Sequence, residues 1–232
     1  MKKVGYLKAT RTLRILCLIT GLCLFAAPLS AKDKLPESTK DGLQLQHHTK
    51  LGAVYLKPGA TLSAYDKVKL LDVYVAFEKN WQRDHNREEI GLERRVSDKD
   101  MQKMKTELAT EFNAVFKKEL EKGGYSVVDE IGADVMILRP AIINLTVTSP
   151  DILTAGISAT FVASNGSMTL YAELYDSVTS DKFAEVLDAE EVGDHGFARQ
   201  ANRVTNKVEF DNTLKAWASI LRKRLDEAHE VN

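Results

Sequence analysis

Two stretches of the chain repeat apolar residues at spacings of three and four. In the first, Met101, Met104, Leu108, Phe112, Val115, Phe116 and Leu120 fall on one stripe, the pattern of a helix that lays one face on a core. Ser97 stands where it can cap the free amides of the first turn, Asp98 and Asp100 complement the positive helix end, and Gly123-Gly124 supplies the stop. In the second, Phe210, Leu214, Trp217, Ala218, Leu221, Leu225 and Ala228 make the same stripe, with Asn206 and Glu209 read as its capping box.

Elsewhere the period is two. Residues 67–77 read as a strand on Val68, Leu70, Leu71, Val73, Val75 and Phe77. A short strand at 125–128 precedes residues 134–148, long enough for one extended strand or two. Pro140 there demands an edge, a bulge or a break, because it has no N–H to give to a ladder. Residues 167–176 set Met168, Leu170, Ala172 and Leu174 against Thr169, Tyr171, Glu173 and Tyr175, one face buried. Residues 177–181 are turn material, so 182–192 are expected back as an antiparallel hairpin partner. Residues 53–56 alternate weakly before the Pro58-Gly59 turn, and the charged stretch 78–95 is expected as loop. Residues 32–50, polar with Pro36, Ser38 and His47-His48, read as a linker or loosely docked arm, which leaves 51–232 as a single domain. Two long amphipathic helices with five or six strands joined mostly by hairpins predict an α+β fold. Its sheet is mixed and mainly antiparallel, with both helices packed on one face.

The N-terminus changes the picture. Lys2, Lys3, Lys8, Arg11 and Arg14 precede an apolar run from Ile15 to about Pro28 that closes on Leu29-Ser30-Ala31. This is the order of a signal peptide, and the run falls short of the roughly 20 residues that cross a bilayer. Cleavage is expected after Ala31, with delivery to the periplasm or cell envelope; an uncleaved anchor with residues 32–40 as tether is the alternative. Both cysteines, Cys17 and Cys23, lie in the leader, and neither follows the small-residue pattern of a lipidation site. A lipid anchor is therefore not expected, and the mature chain has no thiol for a disulfide, a nucleophile or zinc. The leader removes five of 32 basic residues and none of 33 acidic ones, so the mature chain carries 27 against 33, a formal charge of −6. That balance argues against a nucleic-acid partner, which needs a basic face.

Candidate chemistry is sparse. There is no paired-histidine zinc motif, phosphate loop, dinucleotide glycine pattern or calcium loop. His47-His48 with His85 lack accompanying carboxylates, and Gly156-Ile157-Ser158-Ala159-Thr160 lacks the second glycine of a nucleophile elbow. Asp188, Glu190 and Glu191 are one arbitrary choice among many acids, so no catalytic residue, metal or cofactor is assigned. Residues 151–165 hold Ile152, Leu153, Ile157, Phe161 and Val162 among small residues, in a connection longer than an ordinary hairpin. Such loops often bind, and this one is read as contacting a partner protein or a lipid surface, the alternative being that it folds over the sheet. Arg199, Arg203 and Lys207, leading into the last helix, are a candidate anion site.

Several runs resemble a known family: Val54-Tyr55-Leu56-Lys57-Pro58-Gly59-Ala60, Tyr65-Asp66-Lys67-Val68, Asp72-Val73-Tyr74-Val75-Ala76-Phe77 and Arg139-Pro140-Ala141-Ile142-Ile143-Asn144-Leu145. Thr169-Leu170-Tyr171-Ala172-Glu173-Leu174-Tyr175-Asp176-Ser177, Ala201-Asn202-Arg203-Val204-Thr205-Asn206 and Trp217-Ala218 continue it. Together they resemble the bacterial envelope family catalogued as domain of unknown function 3313. The resemblance implies export, often with a lipid anchor, and brings no reaction or catalytic residues with it. The missing lipidation pattern departs from the anchored members. The combined expectation is a non-enzymatic binding or assembly factor of the cell envelope. The alternatives are a carrier of a small apolar ligand or lipid, with its pocket between helices and sheet, and a hydrolase with no recognisable motif.

Overall fold

The computed structural model describes residues 35–89, 95–147, 166–192 and 203–230, with side chains in the last helix described from Phe210 onward. Among these residues the elements run β1 (Gln44–Leu45), β2 (Ala53–Leu56), β3 (Lys67–Leu70), β4 (Tyr74–Phe77), α1 (Trp81–Glu88), α2 (Asp98–Lys122), β5 (Ser126–Val127), β6 (Val135–Leu145), β7 (Gly166–Asp176), β8 (Lys182–Val192) and α3 (Arg203–Glu230). The strands form one sheet in the order β1-β2-β8-β7-β6-β3-β5, with β4 also alongside β6. The pairs from β1 to β6 are antiparallel, whereas β3 and β4 run parallel to β6 and β5 parallel to β3. This is the mixed, mainly antiparallel α+β sheet expected, with α2 and α3 packed against it.

The expected single strand over 67–77 is two strands on the same side of β6. Leu70 pairs with Leu138 and Tyr74 with Ala141, so the neighbouring strand is interrupted opposite Pro140. The Leu138 carbonyl accepts from the Leu71 N–H at 3.0 Å, which turns the backbone groups of Leu138, and by period two those of Pro140, toward that gap. Proline sits where an N–H would meet no strand.

The expected hairpin forms between β7 and β8, with Tyr171 opposite Leu187 and Leu174 opposite Ala184. Its turn is pinned by the Asp176 carboxylate, which accepts from the Val178 and Thr179 N–H groups at 2.9 and 2.7 Å. α2 starts on a full capping box: Asp100 N–H donates to Ser97 Oγ, and Ser97 N–H to the Asp100 carboxylate at 2.9 Å. It ends on Gly123 and Gly124, the latter at φ 87°, where a side chain would be strained.

Three local expectations give way. The charged stretch 78–95 contains α1, because Trp81 stacks on Phe77 at 4.6 Å and His85 on Trp81 at 5.2 Å. Asn86 fixes the helix by exchanging two hydrogen bonds with the Val96 backbone. Asn206 lies inside α3 and is not its cap. Residues 35–50, read as a polar linker or loose arm, carry β1, and Leu43, 1% exposed, packs with Ala53 and Tyr55. One leucine with Leu45 is enough to seat the segment but too little to register as a period.

The main core lies between the sheet and the two long helices. Phe112 and Leu120 of α2 and Leu214 and Leu225 of α3 are fully buried against Met136, Leu138, Ile142 and Met168.

Candidate functional site

The strands place alternate side chains on opposite faces, and at the β2 end this separates two environments. Ala53 and Tyr55 turn to the face away from the helices, where Leu43 covers them. Val54 and Leu56 turn to the helix side, half-buried, and face a cavity of about 500 Å³ between the sheet and α3. Ligand sites commonly occupy about 300–1,000 Å³.

Small residues alternate with large ones on its floor. Ala184 stands opposite Leu174, and Ala172 opposite Val186, all four on the cavity floor. Leu138 and Leu170 complete that floor, while Trp217, Ile220 and Leu221 of α3 form one wall. The opposite wall is the loop joining β1 to β2, whose Gln46, His47, Thr49, Lys50 and Leu51 line the same space. Ala60, Thr61, Leu62 and Phe116 fill the remaining sides.

A buried carboxylate holds these walls together. Asp188, 6% exposed, accepts from the Gly52 N–H through Oδ1 and from the Trp217 indole N–H through Oδ2, both at 2.7 Å. One side chain of β8 thus ties the start of β2 to the middle of α3. On the two lips the exposed lining residues are charged or polar. His47 lies 3.6 Å from Glu37, and Arg224 pairs with Glu227 at 2.7 Å. Lys50 has no carboxylate within ion-pair distance among the described residues.

A second polar cluster lies away from this cavity. Glu173, opposite Arg139 on β6 and Glu185 on β8, is 9% exposed. Its Oε1 accepts from the Tyr171 hydroxyl at 2.8 Å and Lys182 at 3.3 Å, and its Oε2 from the Tyr175 hydroxyl at 2.8 Å and Arg139 at 3.4 Å. Burial opposes its charge, but the bonds from Tyr171, Tyr175 and Lys182 together hold the carboxyl below its ordinary range. Burial likewise opposes the charge of Lys182, which its partners Asp41 at 2.5 Å and Glu185 at 2.9 Å nevertheless hold well above the usual lysine range. Tyr171 is raised by burial and by Glu173. With both oxygens engaged, Glu173 ties three strands together and has no oxygen left for acid–base chemistry.

The residues singled out from sequence fall mostly elsewhere. Ile152, Leu153, Ile157, Phe161, Val162 and Arg199 lie outside the described residues, as does the leader. Arg203 and Lys207 lie in the first turns of α3, with only their backbone described. Of the acids at the end of β8, Asp188 is the buried tie and Glu190 and Glu191 are exposed. Among the described residues no group of three or more His, Cys, Asp or Glu stands where it could hold a metal ion, and no helix is long and apolar enough to cross a membrane.

A family profile described as "Protein of unknown function (DUF3313)" matches residues 37–221. Among curated proteins none matches the chain. Solved structures that are similar at low identity include a variant of the PelC dodecamer from Paraburkholderia phytofirmans and a PelC dodecamer from the same organism. The first is 13% identical over 73% of this chain and 95% of that one, with a TM-score of 0.37. The second is 12% identical over 73% and 98%, with a TM-score of 0.35.

Proposed function

This chain belongs to the DUF3313 family, and from that premise we propose that it is a non-enzymatic binding protein of the bacterial envelope whose cargo is apolar and sits between the sheet and α3. The observation that carries this reading is the floor. Two alanines stand in strand positions on that floor, and half-buried Val54, Leu56, Val186, Ile220 and Leu221 surround the space above it. Apolar surface of this kind gains about 25 cal/mol for each Å² that a ligand removes from water. The test is titration of the purified mature chain with N-phenyl-1-naphthylamine, a neutral apolar probe whose emission rises in dry sites. Saturable binding that is lost in Ala184→Leu and Ala172→Leu is expected; failure of the wild-type chain to bind would overturn the reading.

Export by a cleaved leader, without a lipid anchor, belongs to the same proposal. Its test is the intact mass of the envelope fraction, which should begin at Lys32. The apolar loop residues Ile152, Leu153, Ile157, Phe161 and Val162 are proposed as the contact with an envelope protein or lipid surface from which cargo is received. Replacing Phe161 and Val162 by Ser should then abolish transfer from vesicles while leaving probe binding and stability intact. Arg199, Arg203 and Lys207 stay proposed as an anion site on that same side of the function, and Arg203→Glu should weaken retention on anionic vesicles if so.

A further inference from the structure

We infer that the cavity takes a single-chain amphiphile with an anionic head, the head lying between Lys50 and Arg224 and the chain running over Ala172 and Ala184; this rests on the reading of the cavity as a binding site. A wholly apolar cargo would call for an apolar mouth. Here both lips carry a cation, Lys50 on the β1–β2 loop and Arg224 on α3, against one lining carboxylate, Glu227. That carboxylate is paired with Arg224 at 2.7 Å, while Lys50 has no acid to answer it among the described residues. The lips are solvent-exposed and the floor is buried, so a molecule long enough to reach both must be apolar at one end and polar at the other. The unanswered positive charge selects a carboxylate or phosphate at that polar end, over an ammonium. A cavity of about 500 Å³ suits one chain more than the paired chains of a bilayer lipid. A free fatty acid and a lysophospholipid share this chemistry.

Displacement of bound N-phenyl-1-naphthylamine at low salt tests the inference, with dodecanoate, decanoate, dodecyltrimethylammonium and lauroyl-lysophosphatidylglycerol as competitors. Dodecanoate should displace the probe about tenfold more tightly than dodecyltrimethylammonium, with about fivefold of that preference lost in each of Lys50→Glu and Arg224→Glu. Affinity should fall about fourfold for each methylene removed between dodecanoate and decanoate, and the head preference should weaken in 0.5 M salt while the chain-length effect stays. Lauroyl-lysophosphatidylglycerol binding more tightly than dodecanoate would identify the lysophospholipid as the source, and the reverse order the free acid. If the probe binds but the carboxylate and the ammonium displace it equally, or the two reversals leave the preference unchanged, this inference is overturned and the apolar cavity stands. If the probe does not bind, both fall together.

Discussion

Trp217 gives its indole N–H to a carboxylate, Asp188, that is itself buried, and that carboxylate's second oxygen reaches across to the Gly52 backbone. A charge this far from water is tolerated because two donors face it. Trp217→Phe keeps most of the packing and removes one donor, and should cost about 2–3 kcal/mol in urea unfolding. Asp188→Asn presents an NH₂ to one of the two N–H groups and should cost a similar amount. The double variant should cost clearly less than the sum, since both changes break the same contact; additive losses would show that the two residues act separately.

Ala184→Leu is expected to behave unlike an ordinary insertion into a core. Extra methylenes in a packed interior typically cost about 1–3 kcal/mol, and Ala218→Leu, fully buried and away from the cavity, should show that loss. Ala184→Leu should instead leave the melting temperature unchanged or raise it, because the cavity receives the side chain. A drop in melting temperature as large as that of Ala218→Leu would mean that the space is not there in solution.

Glu173 sets an acid limit on stability. Its carboxyl is held below the ordinary range when folded, so its contribution is complete above about pH 4.3, the ordinary glutamate value, and is lost as pH falls through the lower folded value. Glu173→Gln should therefore be about 1–2 kcal/mol less stable than wild type at pH 7, with the gap closing as both are taken from about pH 5 toward pH 2.

At the alkaline end the sign reverses. Burial, with Asp176 beside Tyr65 and Asp226 beside Tyr125, pushes both phenols up to about 12. The unfolded chain ionises its tyrosines near 10, so stability should be full below about pH 10 and decline as pH rises through 12. Tyr65→Phe and Tyr125→Phe should each flatten that decline, read by denaturant midpoint against pH.

Pro140 is expected to be replaceable where it stands and damaging if moved. Pro140→Val should change stability by less than about 1 kcal/mol, because no strand faces its nitrogen. Ile142→Pro, two residues on and opposite Val75 of β4, should abolish cooperative unfolding, since an N–H of the ladder is lost there along with a core side chain.

The elements whose signal repeats were legible in the sequence. α2 was readable from cap to glycine and β7 to within one residue, because a buried face imposes its period over ten or more positions, and β8 followed from the turn before it. α1 was not, since one aromatic ladder, Phe77, Trp81 and His85, carries it through a run of charges. Nor was the direction of β3 and β4: periodicity fixes which face a residue takes and says nothing of which neighbour it joins. The cavity had a trace that went unread. Ala184, Val186 and Asp188 share the inward parity of β8, and an acid at an inward position, like paired alanines on a buried face, marks a place where the core is not simply filled. Recognising it required knowing that Trp217 and Gly52 converge there, and those contacts span 29 and 136 positions.

The shortness of the outlying strands has a consequence for self-association. Among the described residues the sheet terminates in β1 and β5, of two residues each, in the four-residue β4, and in residues 188–192 of β8, which run past β2. Such margins leave few backbone groups for another chain to zip onto, so amyloid-like propagation from these borders is disfavoured. Copies of this protein crowded in a narrow compartment would have to recognise one another through side chains, which selection can tune one residue at a time.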